Sequence, residues 1–337
     1  MSDDADQRKT VAITGTGSYL PRRVLTNCDL ERLVETSDEW IQTRTGISER
    51  RISEAGQATS DLAAAAARRA MQSANVSADD IDLIIVATIT PDMLFPSTAC
   101  VVQEKIGARN AFCFDLEAAC SGFLFALDAA WRYVRTGGAK TALVIGAETL
   151  SCITDWEDRS TCVLFGDGAG AVVLQERDSG RGLIGTVTGS DGGLSHLLEV
   201  PGGGSRHPVS AEMVDQRLHY LRMSGNEVFK HAVRCMCDSA QRVLSESGLT
   251  PDDVNWVIPH QANMRIIQAI ASRFGTGMDK FCVNLQRVGN MSGASVPVAL
   301  DEAVRSGKIA GGDIIVFVVF GGGFTWGASV MEWSYGG

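Results

Sequence analysis

The sequence predicts a mixed α/β protein, a five-layer αβαβα sandwich made by internal duplication. Three observations lead there. ANVSADDIDLIIVA (74–87) matches SGLTPDDVNWVIPH (247–260) at an offset of 173, and AITGTGS (12–18) matches IGTVTGS (184–190) at 172. Strands and helices then alternate in the same order in both halves, which implies mixed α/β layers. One helix in each half is apolar on nearly every face and so must lie between layers.

Each half begins with a strand and a helix, then an Asp-Asp turn (Asp79-Asp80, Asp252-Asp253) and an apolar strand. A second helix ends at Gly107 or Gly275. Short apolar strands follow, FCFDL (112–116) and FCVNL (281–285). Each leads through a turn into an apolar helix that starts near CSGFLFALDAA (120–130) or MSGASVPVALDEA (291–303). Glycine-rich strands, FGDGAGAVVL (165–174) and FGGGFTWGASVM (320–331), close the halves. No flexible linker is evident, and the division falls as 1–177 and 178–337. The loop signal Gly202-Gly203-Gly204-Ser205 lies inside the second half.

Composition narrows the function. The chain has 337 residues, 45% hydrophobic and 21% charged, an ordinary globular balance. A net charge of -10 opposes generic nucleic-acid binding. The N-terminus, MSDDADQRKT, lacks the apolar stretch of a secretory signal, and runs such as Ile314 to Phe320 are too short to span a bilayer. The expectation is a cytoplasmic protein with no membrane partner. Nine cysteines and five histidines are scattered without CxxC pairs, so no metal site is expected and most thiols are read as inert and buried.

Cys120 is the exception. It follows a strand and opens the buried helix, where free N–H groups and the helix dipole stabilise a thiolate. A lone cysteine would be core filler, a histidine structural and Gly-Asn a turn. The duplication changes that balance. His260 stands at the strand end matching Val86-Ala87, and Asn290 at the turn matching the one before Cys120. The repeat therefore aims Cys120, His260 and Asn290 at one place.

These residues carry a family resemblance. SDEWIQTRTGISERR (37–51), AACSGF (118–123), FGDGAGAVVL (165–174), MSGNEVFKHAV (223–233), IPHQANMRI (258–266), GNMSGASVP (289–297) and FGGGFTWG (320–327) resemble the motifs of thiolase-fold β-ketoacyl-[acyl-carrier-protein] synthase III. The match runs from about Val11 to the end. It implies the start of fatty-acid synthesis: a short acyl-CoA, acetyl above all, is condensed with malonyl-acyl carrier protein. By this resemblance Cys120, His260 and Asn290 are the catalytic triad, and the backbone N–H groups of Cys120 and Gly322 form the oxyanion hole. Acyl-CoA is a substrate, and neither cofactor nor metal is implied. The resemblance also implies a homodimer, with Phe95 reaching the partner's acyl pocket.

The CoA site follows residue by residue. Trp40 and Arg159 would sandwich the adenine, since a guanidinium stacks well on an aromatic face. Thr36, Arg44 and Thr45 would lie near the nucleotide, and Phe229, Asn263 and Arg265 along the pantetheine tunnel or its mouth. An acidic carrier protein meeting a chain of net charge -10 requires a local basic patch. Lys230 and Arg234 share one helix face, and Arg265 and Arg273 another. A solvated charged face explains these four equally well.

One departure is the stretch 201–223, which looks longer than the family norm. Three rival readings differ in class. A thiolase-fold acyltransferase of specialised metabolism would keep the same triad. A dinucleotide oxidoreductase would need GTGSYL (15–20) to be a phosphate turn, but the third glycine is missing. A non-catalytic scaffold would not need all three triad residues.

Overall fold

Two sheets organise the chain. The structure, a computed structural model, describes residues 10–177 and 182–334. The first sheet contains β1 (Thr10–Tyr19), β2 (Leu83–Ala87), β3 (Phe112–Leu116), β4 (Thr141–Thr149) and β5 (Asp167–Arg177), in the order β1-β5-β4-β2-β3. The second contains β6 (Leu183–Ser190), β7 (Trp256–Pro259), β8 (Ile314–Gly321) and β9 (Thr325–Glu332), in the order β6-β9-β8-β7. The orders coincide over four strands, β1-β5-β4-β2 with β6-β9-β8-β7, and so do their senses of pairing. β2 is parallel to β4 as β7 is to β8, and the other two pairings among these four strands are antiparallel in each half; β3, parallel to β2, is added to the first sheet only.

The helices complete five layers. The longer ones are α1 (Asp38–Thr45), α2 (Thr59–Ala74), α3 (Thr98–Ile106), α4 (Gly122–Arg135), α5 (Gly225–Glu246), α6 (Met264–Phe274) and α7 (Ser295–Arg305). Strand alternation decides what each face meets. Leu83, Ile85 and Ala87 of β2 face inward onto Phe123, Leu124 and Leu127 of α4 and Val296 and Leu300 of α7. Phe317 and Val319 of β8 close the same core from the other sheet. Ile84 and Val86 face outward onto α2 and α3. Val316 and Val318 face α5 and α6.

The duplication extends to individual hydrogen bonds. Ser77 N–H and Oγ–H donate to Asp80 Oδ2 at 2.8 and 2.6 Å, and Thr250 N–H and Oγ1–H donate to Asp253 Oδ2, both at 2.8 Å. Gly107 and Gly275 both end their helices left-handed, at φ 78° and 75°. Ala119 and Ser292, also 173 apart, both have positive φ, 46° and 45°.

Three sequence readings change. FCVNL is not a strand. It contributes a single bridge, Val257 to Phe281, because the Gln261 side chain takes over the pairing. Its Oε1 accepts from Asn284 N and Leu285 N at 3.1 and 3.3 Å, and its Nε2 donates to Cys282 O at 3.2 Å. The GTG of residues 15–17 lies inside β1, where Gly17 lets α2 approach: a Cβ there would meet Ala70 N at 2.3 Å. It is a packing device rather than a phosphate turn. Cys120 precedes α4 instead of opening it, in the 3₁₀ turn Ala119–Ser121. The boundary expected at 177/178 adjoins residues 178–181, outside the described residues.

The halves meet where β4 crosses the second turn. A Cβ on Gly146 would stand 2.2 Å from Gly293 O, closer than atoms can pack. Gly146→Ala is therefore expected to cost at least the roughly 1–3 kcal/mol of an overpacked core. Urea denaturation of the variant against wild type measures this, and an unchanged midpoint would refute the close crossing.

Candidate active site

One cavity of about 1640 Å³ is lined by both halves and receives Cys120, His260 and Asn290 together. Each is placed by backbone. Cys120 sits in a turn fastened to the β8–β9 connection: Thr325 Oγ1 donates to Ala118 O at 2.9 Å and Ser121 Oγ to Thr325 O at 3.1 Å. Gly321 permits the approach, since a Cβ there would stand 2.7 Å from Cys120 N. Its neighbour Gly322 lines the cavity. His260 continues β7, donating its N–H to Val318 O at 2.8 Å. Asn290 is held against residues 164–166: Asn290 N donates to Leu164 O at 2.9 Å and Gly166 N to Asn290 O at 3.0 Å. Its Oδ1 accepts from Ser292 N at 2.8 Å, which leaves the amide Nδ2 to face other partners.

Burial sets the charges. It pushes the Cys120 thiol up to about 12; the nearby carboxylates of Glu148 and Glu117 add to the rise, and Ser292 opposes it. This rise runs against the thiolate expected from the helix N-terminus. Burial also lowers His260 to about 3, so its ring is neutral throughout the ordinary pH range. Its Nδ1 is buried without a partner.

The sequence reading missed Glu148 and Ser292. Glu148 is fully buried, and burial raises its carboxyl to about 7 against the pull of its donors. Its Oε2 accepts from Thr90 Oγ1 at 2.7 Å, Ile89 N at 3.1 Å and Thr88 Oγ1 at 3.2 Å. A lone acid ending the apolar run TALVIGAE (141–148) was the available signal.

The residues assigned to CoA spread along the same cavity. Trp40, Arg44, Thr45, Phe229, Asn263 and Arg265 line it. Asn263 joins α1 to α6 by capping Arg265 N at 2.8 Å and donating to Arg44 O at 3.0 Å. Thr45 Oγ1 is committed inside α1, donating to Ile41 O and accepting from Ile47 N. Arg159 lies outside the lining and stacks on Trp40, its guanidinium carbon 5.0 Å from the ring centroid. A base inserted between them needs about 7 Å, two contact distances, so the pair must open. Thr36 is half-buried next to them, with Oγ1 unpartnered.

The remaining candidates stay at the surface. Lys230 lines the cavity rim but is paired with Glu227 at 2.7 Å. Arg265 stacks on Phe229, 5.7 Å from its centroid, whereas Arg234 and Arg273 are exposed and lie off the cavity. Phe95 is 84% exposed, next to Met93 and Leu94, which do line the cavity. Residues of the long stretch, among them Gly203, Val209 and Leu221, form part of its wall.

Glu148 yields a stability test. Its folded pKa, about 7, lies above the ordinary 4.5. Its contribution to stability is therefore fully present below 4.5 and is lost as pH rises through 7. Glu148→Gln removes the charge, so the variant should gain about 2–3 kcal/mol on wild type between pH 5 and pH 8. Urea midpoints at the two pH values read this, and an equal difference at both would contradict it.

Comparison with known proteins agrees with the geometry. Residues 114–192 match the model for 3-oxoacyl-[acyl-carrier-protein] synthase III, and residues 244–333 match the model for its C-terminal part. The β-ketoacyl-[acyl-carrier-protein] synthase III of Desulfitobacterium hafniense is 55% identical over 96% of this chain and 98% of its own. The crystal structure of the 3-oxoacyl-[acyl-carrier-protein] synthase III of Aquifex aeolicus superimposes with a TM-score of 0.90 at 48% identity, over 96% of this chain and all of that one. The priming β-ketosynthase of the R1128 polyketide pathway superimposes equally well, TM-score 0.90, at 36% identity over 97% of each chain. With the same paired sheets and near-complete coverage, this chain belongs to the β-ketoacyl-[acyl-carrier-protein] synthase III family of thiolase-fold condensing enzymes.

Proposed function

We propose that this chain condenses a short acyl-CoA, with acetyl-CoA the preferred primer, with malonyl-acyl carrier protein. The observation that carries the reading is the convergence of Cys120, His260 and Asn290 on one cavity large enough for an acylated pantetheine arm. Cys120 Sγ attacks the acyl-CoA thioester, the bond between the acyl carbon and the CoA sulfur breaks, and CoA leaves as a thiol. Malonyl-carrier protein then enters by the same mouth. Its carboxylate departs as CO2 and the electron pair moves onto the thioester oxygen as an enolate. Neutral His260 and the Asn290 amide donate hydrogen bonds to that oxygen. The enolate carbon attacks the acyl group, and the Cys120 and Gly322 N–H groups receive the tetrahedral oxyanion. Cys120 leaves, and the product is a β-ketoacyl-carrier protein. Neither cofactor nor metal enters the scheme.

Trp40, Arg159, Thr36, Arg44 and Thr45 are assigned to the nucleotide of CoA, and Phe229, Asn263 and Arg265 to the pantetheine. Lys230, Arg234, Arg265 and Arg273 are assigned to an acidic carrier protein. The halves are divided at 177/178. A homodimer is assigned through β3, which among the described residues pairs with β2 on one edge only and carries exposed Phe112 against exposed Tyr133. Phe95 would then cross to the partner's acyl pocket. The priming ketosynthase likeness keeps a specialised pathway as the second reading. Offering purified enzyme malonyl-carrier protein against other acceptors separates the two.

Two mutant sets test these roles. Cys120→Ala should accept no acetyl from CoA yet still release CO2 from malonyl-carrier protein. His260→Ala and Asn290→Ala should load acetyl and lose decarboxylation by about 10²–10³-fold, the effect of removing one oxyanion donor. Labelled acetyl on the protein, measured beside CO2 release, reads both. Loss of loading with full decarboxylation in His260→Ala would reverse the assignment. In a second test, Phe95→Thr should admit longer acyl-CoAs, read by intact mass across a chain-length panel. Medium chains loading on wild type as well as acetyl would remove Phe95 as the stop.

A further inference from the structure

Behind Asn290 lies a buried cation whose hydrogen-bond acceptors are all uncharged. Arg50 belongs to the short strand Glu49–Ile52, which pairs with Arg23–Thr26, and it is fully buried. Its Nη1 donates to Asn27 Oδ1 at 2.8 Å and to Leu25 O at 3.3 Å, and its Nη2 donates to Val163 O at 2.6 Å. Its Nε is buried without a partner. A charge taken out of water and bonded only to neutral groups is costly, so stability alone gives no reason for it. Its position does.

The guanidinium grips the segment that carries Asn290. Val163 O, which accepts from Nη2, is one residue before Leu164 O, which accepts from Asn290 N at 2.9 Å. Gly166 N closes the same bridge by donating to Asn290 O at 3.0 Å. The root of the Arg50 side chain packs against both sides of that bridge. A Cβ on Gly166 would stand 3.2 Å from Arg50 Cβ, and one on Gly289 would stand 3.1 Å from it. The far side of the fork is anchored as well. Asn27 Nδ2 donates to Asp38 Oδ1 and to Ile47 O, both at 2.8 Å. Asp38 opens α1, the helix that carries Trp40 and Arg44.

We infer that Arg50 is a positioning residue for Asn290: its planar fork fixes residues 163–166 against Asn27, and those residues fix the Asn290 main chain and so the aim of its amide. The inference rests on the proposed role of Asn290 as a donor to the enolate oxygen. Arg50 does not line the cavity, so it acts on the reaction only through its neighbours. A guanidinium can hold two acceptors at a set angle, whereas an ammonium on a flexible stem cannot. Asn27 keeps its bonds to Asp38 and Ile47 whether or not Arg50 is present, so the CoA side of the cavity stays in place when the fork is removed.

The experiment compares Arg50→Met, which removes the fork, with Arg50→Lys, each alone and combined with Asn290→Ala. Acetyl loading of Cys120 and CO2 release from malonyl-carrier protein are measured beside hydrogen exchange of peptides covering 160–168 and 286–294. Arg50→Met should load acetyl as wild type does and lose about 10–100-fold in CO2 release, as a displaced donor would. Arg50→Lys should lose less. On the Asn290→Ala background neither substitution should slow CO2 release further, because the donor that Arg50 places is already gone. A merely structural arginine would multiply the loss. Exchange should quicken in the two peptides and not in one covering 98–116. If Arg50→Met does not fold, Arg50→Lys carries the same comparisons, and failure of both to fold would make Arg50 a folding residue and overturn the inference. Losses that multiply with Asn290→Ala overturn it too. If wild type releases no CO2 yet exchange quickens at 160–168 and 286–294 alone, Arg50 positions Asn290 and the condensation reading falls. If wild type releases CO2 and the folded variants match it, the condensation reading stands and the inference falls.

Discussion

The site depends on one steric contact, the crossing of two turns that the duplication made equivalent. Ala119–Ser121 and Ser292–Ala294 are both 3₁₀ turns opened by a residue of positive φ, and both lead into a buried helix. They can face each other only because Gly146 lets the second turn lie on β4, and Gly321 lets β8 lie against the first. Backbone this close leaves no freedom to shift by a side-chain rotation. Cys120 is therefore positioned by main chain from both halves, which suits the proposed reaction, in which two substrates are brought in turn to one sulfur.

Removing water has opposite effects on the groups gathered there. It keeps His260 neutral, which suits a hydrogen-bond donor, and it keeps Cys120 protonated, which does not suit a nucleophile. A standing thiolate would also be repelled by ionised Glu148. The same burial makes each hydrogen bond to a developing oxyanion worth more than it would be in water.

Much of this was legible in the sequence. Repeats at offsets of 172 and 173 imply equivalent positions in the two halves; His260 stands at the end of β7, and Asn290 at the turn equivalent to the one before Cys120. The paired sheets and buried helices follow from the same alignment. What was not legible is non-local. FCVNL has every local mark of a strand, but the Gln261 amide, 20 residues upstream of its first residue, takes its hydrogen bonds. Glu148 looks like the end of a strand until Thr88 and Thr90, from the loop after β2, close around it. The sign of the Cys120 shift depends on burial, which a helix position alone does not reveal. Arg159 and Trp40 meet across 119 residues of chain, by contacts that no local pattern encodes.

The resting state of Cys120 tests the balance of burial against helix dipole most directly. With ¹³Cβ-cysteine incorporated, the Cys120 resonance can be identified by its absence in Cys120→Ser and followed from pH 6 to pH 10. Burial in the dry cavity predicts a neutral thiol with no titration below pH 9. A resonance that titrates at or below pH 7.5 would mean a standing thiolate, and would contradict the dominance of burial over the helix N-terminus.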